Sequence, residues 1–371
     1  MNERLPLARP DIGPEEESLV LEVLRSGRLS LGPMLERFEQ AFAQWLGVDD
    51  AIATSSGTSA LHLGVRALGW ECGEEVVLSP FTFVASANCL IYEGIKPLFA
   101  DVDPVTLNLD PSAAEAAITE RTVGLLPIDI FGYPADLTAF EKIAAARGLG
   151  LLEDAAQALG SIDDEGHKVG SRGNLAAFAF YANKQMTTGE GGMLIPRNAD
   201  EAERIRSERN QGRAVDMEWL DHDRLGYNYR LSDVAAAIGV AQLAKLDRML
   251  ADRARVAGLY AEALEPLDGV EVAIAGRGQA RRSWFVYPVR LAEGTDRDAV
   301  IAGLAEHGIP SKAYLPCVHL FPHLRERGYH EGQFPIAEGI SARSLALPFH
   351  GAMTEGDVTT VADALQVALG A

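Results

Sequence analysis

Residues 124–160 read "GLLPIDIFGYPADLTAFEKIAAARGLGLLEDAAQALG". An apolar run opens the stretch, as a strand does. "DLTAFEKIAAARG" then spaces its apolar residues at helical period and stops at Gly148. A second apolar run, "LGLLED", leads into a loop of small residues. This strand–helix–strand order within one short segment predicts an α/β domain with a mostly parallel sheet. The preceding segments repeat it: "EVVLSP" (75–80), "FVASANCLIYEG" (83–94) and "KPLFADVD" (96–103). Upstream, residues 15–46 read as helices around the turn "SGRLSLGP". Downstream, from about residue 232, "SDVAAAIGVAQLAKLDRMLADRARVAGLYAEAL" reads as one long helical run. "RSWFVYPVRL" reads as a strand and "DRDAVIAGLAEHGI" as a helix, so residues from about 250 onward are expected to form a smaller α+β domain.

The chain has 371 residues, 47% of them hydrophobic, enough for one large core and a smaller one. No apolar run reaches membrane-spanning length, and "MNERLPLARPD" lacks a signal peptide's apolar core. Three cysteines without a CxxC pair suit a reducing cytoplasm. A net charge of −20 leaves no basic footprint for nucleic acid. An anionic substrate would have to find local cations or helix N-termini.

Four pieces carry chemistry. In "ATSSGTSALHLGVRALG" (53–69), hydroxyls and Gly57 open a helix whose first N–H groups lack backbone acceptors, a seat for phosphate with Thr58 adding a hydroxyl. A plain N-cap by Ser55 or Ser56 is the better reading of that piece alone. Asp154 lies at the carboxyl end of a strand, where open α/β sheets gather ligands. There it could protonate a ring nitrogen, cap a turn or bind a metal, but no His or Cys cluster supports a metal. Asp129 ends another strand without comparable context. Phe83 follows a strand end and could stack on a planar ring, although such a residue is more often core. Lys184, in "FAFYANKQMTTGEGG" (178–192), sits between a strand and a glycine-rich loop. Burial there would lower its pKa and make the amine nucleophilic. Glu190 reads equally as an anchor for that site or a solvated charge. A phosphate seat, an aromatic plate, a carboxylate and a lysine are together the parts of a pyridoxal-phosphate site.

Those blocks, with "SGRLSLGPMLERFEQAFA", "GYNYRLSDVAAAIGVAQL" and "FPIAEGISARSLALPFH", resemble the DegT/DnrJ/EryC1/StrS aminotransferases in order along nearly the whole chain. This is the sugar-aminotransferase branch of the fold-type I pyridoxal-phosphate enzymes. The resemblance implies a large cofactor-binding domain at 1–249, with a mostly parallel, seven-stranded type of sheet flanked by helices. A smaller α+β domain would occupy 250–371, with the N-terminal segment packing on it. Lys184 is similar to the Schiff-base lysine, Asp154 to the partner of the pyridine nitrogen, Gln157 to the contact near the ring hydroxyl and Phe83 to the stacking ring. Gly57 and Thr58 are similar to the phosphate binders. Asn228 is similar to an asparagine lent to the phosphate across a dimer interface, which implies a homodimer with shared sites. Many members carry a serine where this chain has Ala179, so its phosphate would depend more on Thr58, Asn228 and backbone amides.

Tyr314 and His319 match a loop that approaches substrate, and Arg28 and Ser30 a substrate-facing segment. For His319 a packed or surface histidine is an equal reading, and for "SGRLS" a helix-linking turn. Arg209 and Arg213 could meet a diphosphate or be helix-end charges, and Trp219 could be interface core. The resemblance implies an aminotransferase that takes an amine from glutamate and installs it on a nucleotide-linked keto sugar, foremost at C4 of a 4-keto-6-deoxy hexose. Three rivals remain within reach of the same residues. A cyclitol or aminobenzoate aminotransferase shares the scaffold. A cofactor-dependent sugar dehydratase would have histidine for Lys184. A non-catalytic regulatory relative would tolerate loss of Lys184 or Asp154.

Overall fold

The computed structural model describes residues 5–214 and 221–370; Trp219 lies outside them. Its centre is a seven-stranded sheet of β1 (Ile52–Thr54), β2 (Glu75–Leu78), β3 (Lys96–Phe99), β4 (Thr122–Leu126), β5 (Gly150–Asp154), β6 (Leu175–Ala179) and β7 (Gly192–Ile195). The strand order is β1-β7-β6-β5-β4-β2-β3. The run from β3 through β6 is parallel, and β7 is antiparallel to both its neighbours. Both faces are covered, so strand interiors such as residues 76–78 and 125–126 are continuously apolar rather than alternating. Val76, Leu126 and Leu152 pack on one side with Leu61 and Leu63; Val77, Leu125 and Leu151 pack on the other with Leu137 and Phe140.

Helices α1 (Pro14–Ser26) and α2 (Pro33–Leu46) precede the sheet; α3 (Gly57–Ala67), α4 (Ala85–Ile91), α5 (Pro111–Ala117), α6 (Leu137–Arg147) and α7 (Ala199–Arg209) connect or follow its strands. Their ends follow local chemistry. Asp136 Oδ1 accepts the Ala139 N–H at the start of α6, and Gly148 ends it at φ +67°. The strand expected over "GLLPIDIFG" stops at Leu126, and a short 3₁₀ turn occupies Ile130–Gly132.

The long helical run of the sequence is two helices, α8 (Asp233–Ala244) and α9 (Leu246–Leu264), which meet at Lys245. No glycine or proline marks that break. Gln242 and Lys245 turn there onto the N-terminal segment, with Gln242 Nε2 donating to Glu16 Oε1 at 2.7 Å and Lys245 Nζ 2.8 Å from the same oxygen. Beyond lie β8 (Val270–Val272), β9 (Gly276–Arg277), β10 (Ala280–Arg281), β11 (Tyr287–Leu291), α10 (Arg297–Glu306), β12 (Lys312–Ala313), α11 (Pro322–Arg325), α12 (Pro335–Arg343), β13 (Ser344–Leu347) and α13 (Glu355–Ala368). Strands β12-β13-β11-β8 form an antiparallel sheet. Its apolar cluster includes Leu5, Val256, Tyr260 and Leu365. Residue 250 falls inside α9, whose Leu246 and Met249 pack with α2 and α8 while Val256 and Tyr260 pack in the smaller cluster. One helix therefore serves both cores.

Candidate active site

Strand β5 runs parallel between β4 and β6 and ends at Asp154, so its carboxylate emerges at the carboxyl edge of the sheet. The side chain is 4% exposed. Ser86 Oγ, on α4, donates to Oδ2 at 2.7 Å, and the Ala156 N–H donates to Oδ1 at 3.1 Å. Burial raises its pKa, against the lowering effect of those two donors and of the Lys184 charge.

Lys184 follows β6 by five residues. Its N–H donates to Tyr181 O at 3.0 Å, and its own carbonyl accepts from Arg253 Nη2, on α9, at 3.1 Å. The amine lies 4.0 Å from the Phe285 ring centroid. Burial lowers its pKa to about 8, while the Asp154 charge pulls the other way.

The two side chains line one cavity of about 350 Å³. Gly57, Thr58, Phe83, Gln157 and Tyr314 line it too, as do Ala179 and Glu190. Phe83 is 60% exposed, a ring presented to the cavity rather than buried in the core. Gln157 Oε1 accepts the Phe131 N–H at 2.9 Å, which aligns the amide and leaves its NH₂ for other contacts. Ser56 caps α3 by accepting the Ser59 N–H at 3.1 Å. The N–H groups of Gly57 and Thr58 have no acceptor one turn earlier in the helix, so cap and anion seat coexist.

Three features fit pyridoxal phosphate. A Cβ on Gly57 would stand 2.5 Å from Ala179 Cβ, so only glycine lets the helix start this close to β6. A buried carboxylate and an amine share the same walls. Asn183 also lines the cavity, and its buried Oδ1 has no hydrogen-bond partner. Among the described residues no cluster of three or more His, Cys, Asp or Glu forms a metal site.

Six expected residues stand elsewhere. Asn228 does not line the cavity of its own chain; it bridges to Asn210, beside Tyr229 N donating to Arg209 O at 3.0 Å. Arg28 is exposed, its Nη2 donating to Leu31 O at 2.8 Å, and Ser30 bridges to Ser232. His319 is fully buried behind the loop, with Nε2 3.1 Å from Glu338 Oε1 and its ring edge-on to Phe334. That is a packing role within this chain, because the ring is enclosed by its own neighbours. Arg209 is bound to Glu39 and to Ala53 O, and Arg213 bridges to His222. Neither lines the cavity.

Ser86, Asn183, Arg253 and Phe285 escaped the sequence reading. Ser86 and Asn183 lie inside quoted motifs but carry no signal of their own. Arg253 and Phe285 reach Lys184 from 69 and 101 positions away, a separation local patterns do not register.

Comparison with known proteins covers nearly the whole chain. The model of the DegT/DnrJ/EryC1/StrS aminotransferase family matches residues 10–366. The chain is 38% identical over 379 residues to the GDP-perosamine synthase of Caulobacter vibrioides, covering 99% of this chain and 98% of that one. It is similar to the solved structure of S. venezuelae DesV in complex with a ketimine intermediate, with TM-score 0.91, 33% identity, and 96% and 95% of the two chains covered. It is also similar to 3-amino-5-hydroxybenzoic acid synthase, with TM-score 0.92, 30% identity, and 99% of each chain covered.

Proposed function

The chain belongs to the DegT/DnrJ/EryC1/StrS family of pyridoxal-phosphate-dependent aminotransferases with the fold-type I architecture, and on that premise we propose that it transfers an amino group from glutamate to a nucleotide-linked keto sugar, foremost a 4-keto-6-deoxy hexose. The observation that carries the chemistry is the meeting of a depressed-pKa lysine and a buried carboxylate in one cavity at the sheet edge. The similarity to a GDP-perosamine synthase supports the sugar nucleotide.

In this reading the bound cofactor supplies an aldehyde to carry the amino group and a ring to accept an electron pair. Gly57 and Thr58 would hold the phosphate through N–H groups and a hydroxyl, helped by the positive end of α3. Phe83 would stack on the ring, and Gln157 would reach its hydroxyl. Asp154, kept in place by Ser86 and the Ala156 N–H, would hold a proton on the ring nitrogen. Lys184 Nζ is partly free base near neutral pH. It would hold the cofactor's aldehyde and, once the donor amine has taken its place there, would carry a proton off the donor's α-carbon in one half-reaction and deliver one to the sugar carbon in the other. Phe285 covers the amine and shields it from water, and Tyr314 lines the same cavity.

Lys184 is the one cation lining the cavity among the described residues, beside two acids, Asp154 and Glu190. A diphosphate or a glutamate carboxylate therefore needs positive groups from outside this wall. This supports a homodimer in which Asn228 and its neighbours complete the partner's site. The sparse cysteines, all free, support a cytoplasmic setting.

A second reading, an aminobenzoate- or cyclitol-type aminotransferase, is favoured by the similarity to 3-amino-5-hydroxybenzoic acid synthase. A turnover panel decides between them. Nucleotide-linked 3-keto and 4-keto sugars, an inosose and an aminobenzoate precursor are each incubated with glutamate and read by product mass. A 4-amino sugar nucleotide is expected. Amination of the inosose or the benzoate precursor alone would replace the first reading with the second.

A further inference from the structure

Asp129 and Glu153 lie behind the cavity, 0% and 1% exposed. Glu153 precedes Asp154 on β5, so strand alternation turns it to the opposite face of the sheet. The Asp129 N–H donates to the Asp154 carbonyl at 3.1 Å. Each acid has one occupied oxygen and one free. Asp129 Oδ1 accepts the Ala135 N–H at 2.7 Å, and Glu153 Oε2 accepts the Gly170 N–H at 3.1 Å. The remaining oxygens, Asp129 Oδ2 and Glu153 Oε1, are buried without a hydrogen-bond donor, and the two carboxyls stand within hydrogen-bonding reach of each other.

Among the described residues no cation forms an ion pair with either carboxylate. Arg172 acts on Glu153 from the 161–173 loop, but it is bound by Glu141 of α6 at 2.7 Å and by Asp163 at 2.9 Å. The other charges that act on the pair are the acids Asp163, Glu141 and Asp154. Two ionised carboxylates in contact, buried and unpaired, would repel at close range and in low dielectric. A single proton between the free oxygens removes the repulsion and gives each oxygen its partner.

We propose that Asp129 and Glu153 share one proton, and that this pair positions Asp154 by tying the end of β5 to the 129–135 turn on one side and to the Gly170 loop on the other. The positioning half rests on the reading of Asp154 as the ring-nitrogen acid. Burial and neighbouring acids raise both carboxyls, Glu153 to about 8 and Asp129 well above the usual range. A carboxyl raised in the folded state stabilises the fold below its ordinary pKa of 4.5, and that contribution is lost as pH climbs towards 8.

The hydrogen-bond pattern specifies the test. In Glu153→Gln the amide oxygen can still accept from Gly170 while the NH₂ donates to Asp129; Asp129→Asn is the mirror case. The double variant places two donors face to face. Thermal unfolding is measured between pH 5 and 9 on the full chain without cofactor. The wild type is expected to lose Tm with rising pH. Each single amide variant flattens that loss. The double variant falls about 2–4 °C or more beyond the sum of the singles. A double variant as stable as the singles, or an unaltered pH slope in Glu153→Gln, overturns the shared proton.

Cofactor affinity, read by titration of absorbance, is expected to drop in Glu153→Ala and to return in Glu153→Gln. Sensitivity to Asp154→Asn but not to Glu153→Ala overturns the positioning role. Insensitivity to both overturns it together with the reading of Asp154 on which it rests.

Discussion

Lys184 gains its character from position. An ordinary lysine near pKa 10.4 is free base in roughly one molecule in 2,500 at pH 7, whereas one at about 8 is free base in about one in ten. Reductive methylation of the cofactor-free protein should therefore label Lys184 ahead of the other lysines, with a rate that rises through pH 8. Lys184→Ala should lose transamination by about 10³-fold or more and no longer be fixed to cofactor by borohydride. Asp154→Asn keeps the Ser86 contact but removes the charge, and should lower kcat about 10²–10³-fold. Both residues stood out in the sequence as candidates because Asp154 ends a strand and Lys184 lies between a strand and a glycine-rich loop. Phe83 was ambiguous, since an aromatic at a strand end reads the same whether it faces core or cavity.

At the scale of elements, α3 shows how tightly the site is set. Its first turn lies against β6, where a Cβ on Gly57 would meet Ala179. Gly57→Ala must push the helix away, at a cost of about 1–3 kcal/mol, and should weaken cofactor binding in an absorbance titration. The Ser55 N–H, just ahead of that turn, donates to Tyr229 O at 2.8 Å, so the segment carrying Asn228 is anchored to the start of the same helix. His319 belongs to another element contact, the packing of its loop on α12 through Glu338. Its removal exposes the buried ends of that contact. His319→Ala is expected to cost about 1–3 kcal/mol of stability, read as a lower Tm, while kcat stays near the wild-type value. The break between α8 and α9 was invisible in the periodicity because an ion pair and an amide contact with Glu16 impose it, without any local breaker residue.

Over the whole molecule, the arrangement of Asn228 has a direct consequence. Its backbone is bridged to Asn210, and the residue is exposed and away from its own cavity. If two copies complete each other's sites, Lys184→Ala and Asn228→Ala proteins, each weak alone, should regain activity when unfolded and refolded together. The yield should approach about a quarter of wild type, since half the pairs are mixed and each mixed pair holds one intact site. A mixture no more active than its parts would leave each site within a single chain. No helix among the described residues is long and apolar enough to cross a membrane.

The sequence alone determined the α/β class and the order of most sheet elements, and it marked Gly57, Asp154 and Lys184 as candidates. Those rest on local rules: apolar periodicity, capping residues and the small residues that allow close backbone approach. Tertiary structure decided which of the expected residues share a wall, that His319 and Arg209 are spent on internal partners, and that Asp129 meets Glu153 behind the site. Such pairings join positions far apart along the chain, and burial sets their protonation, so they exist only once the sheet has brought its strand ends together.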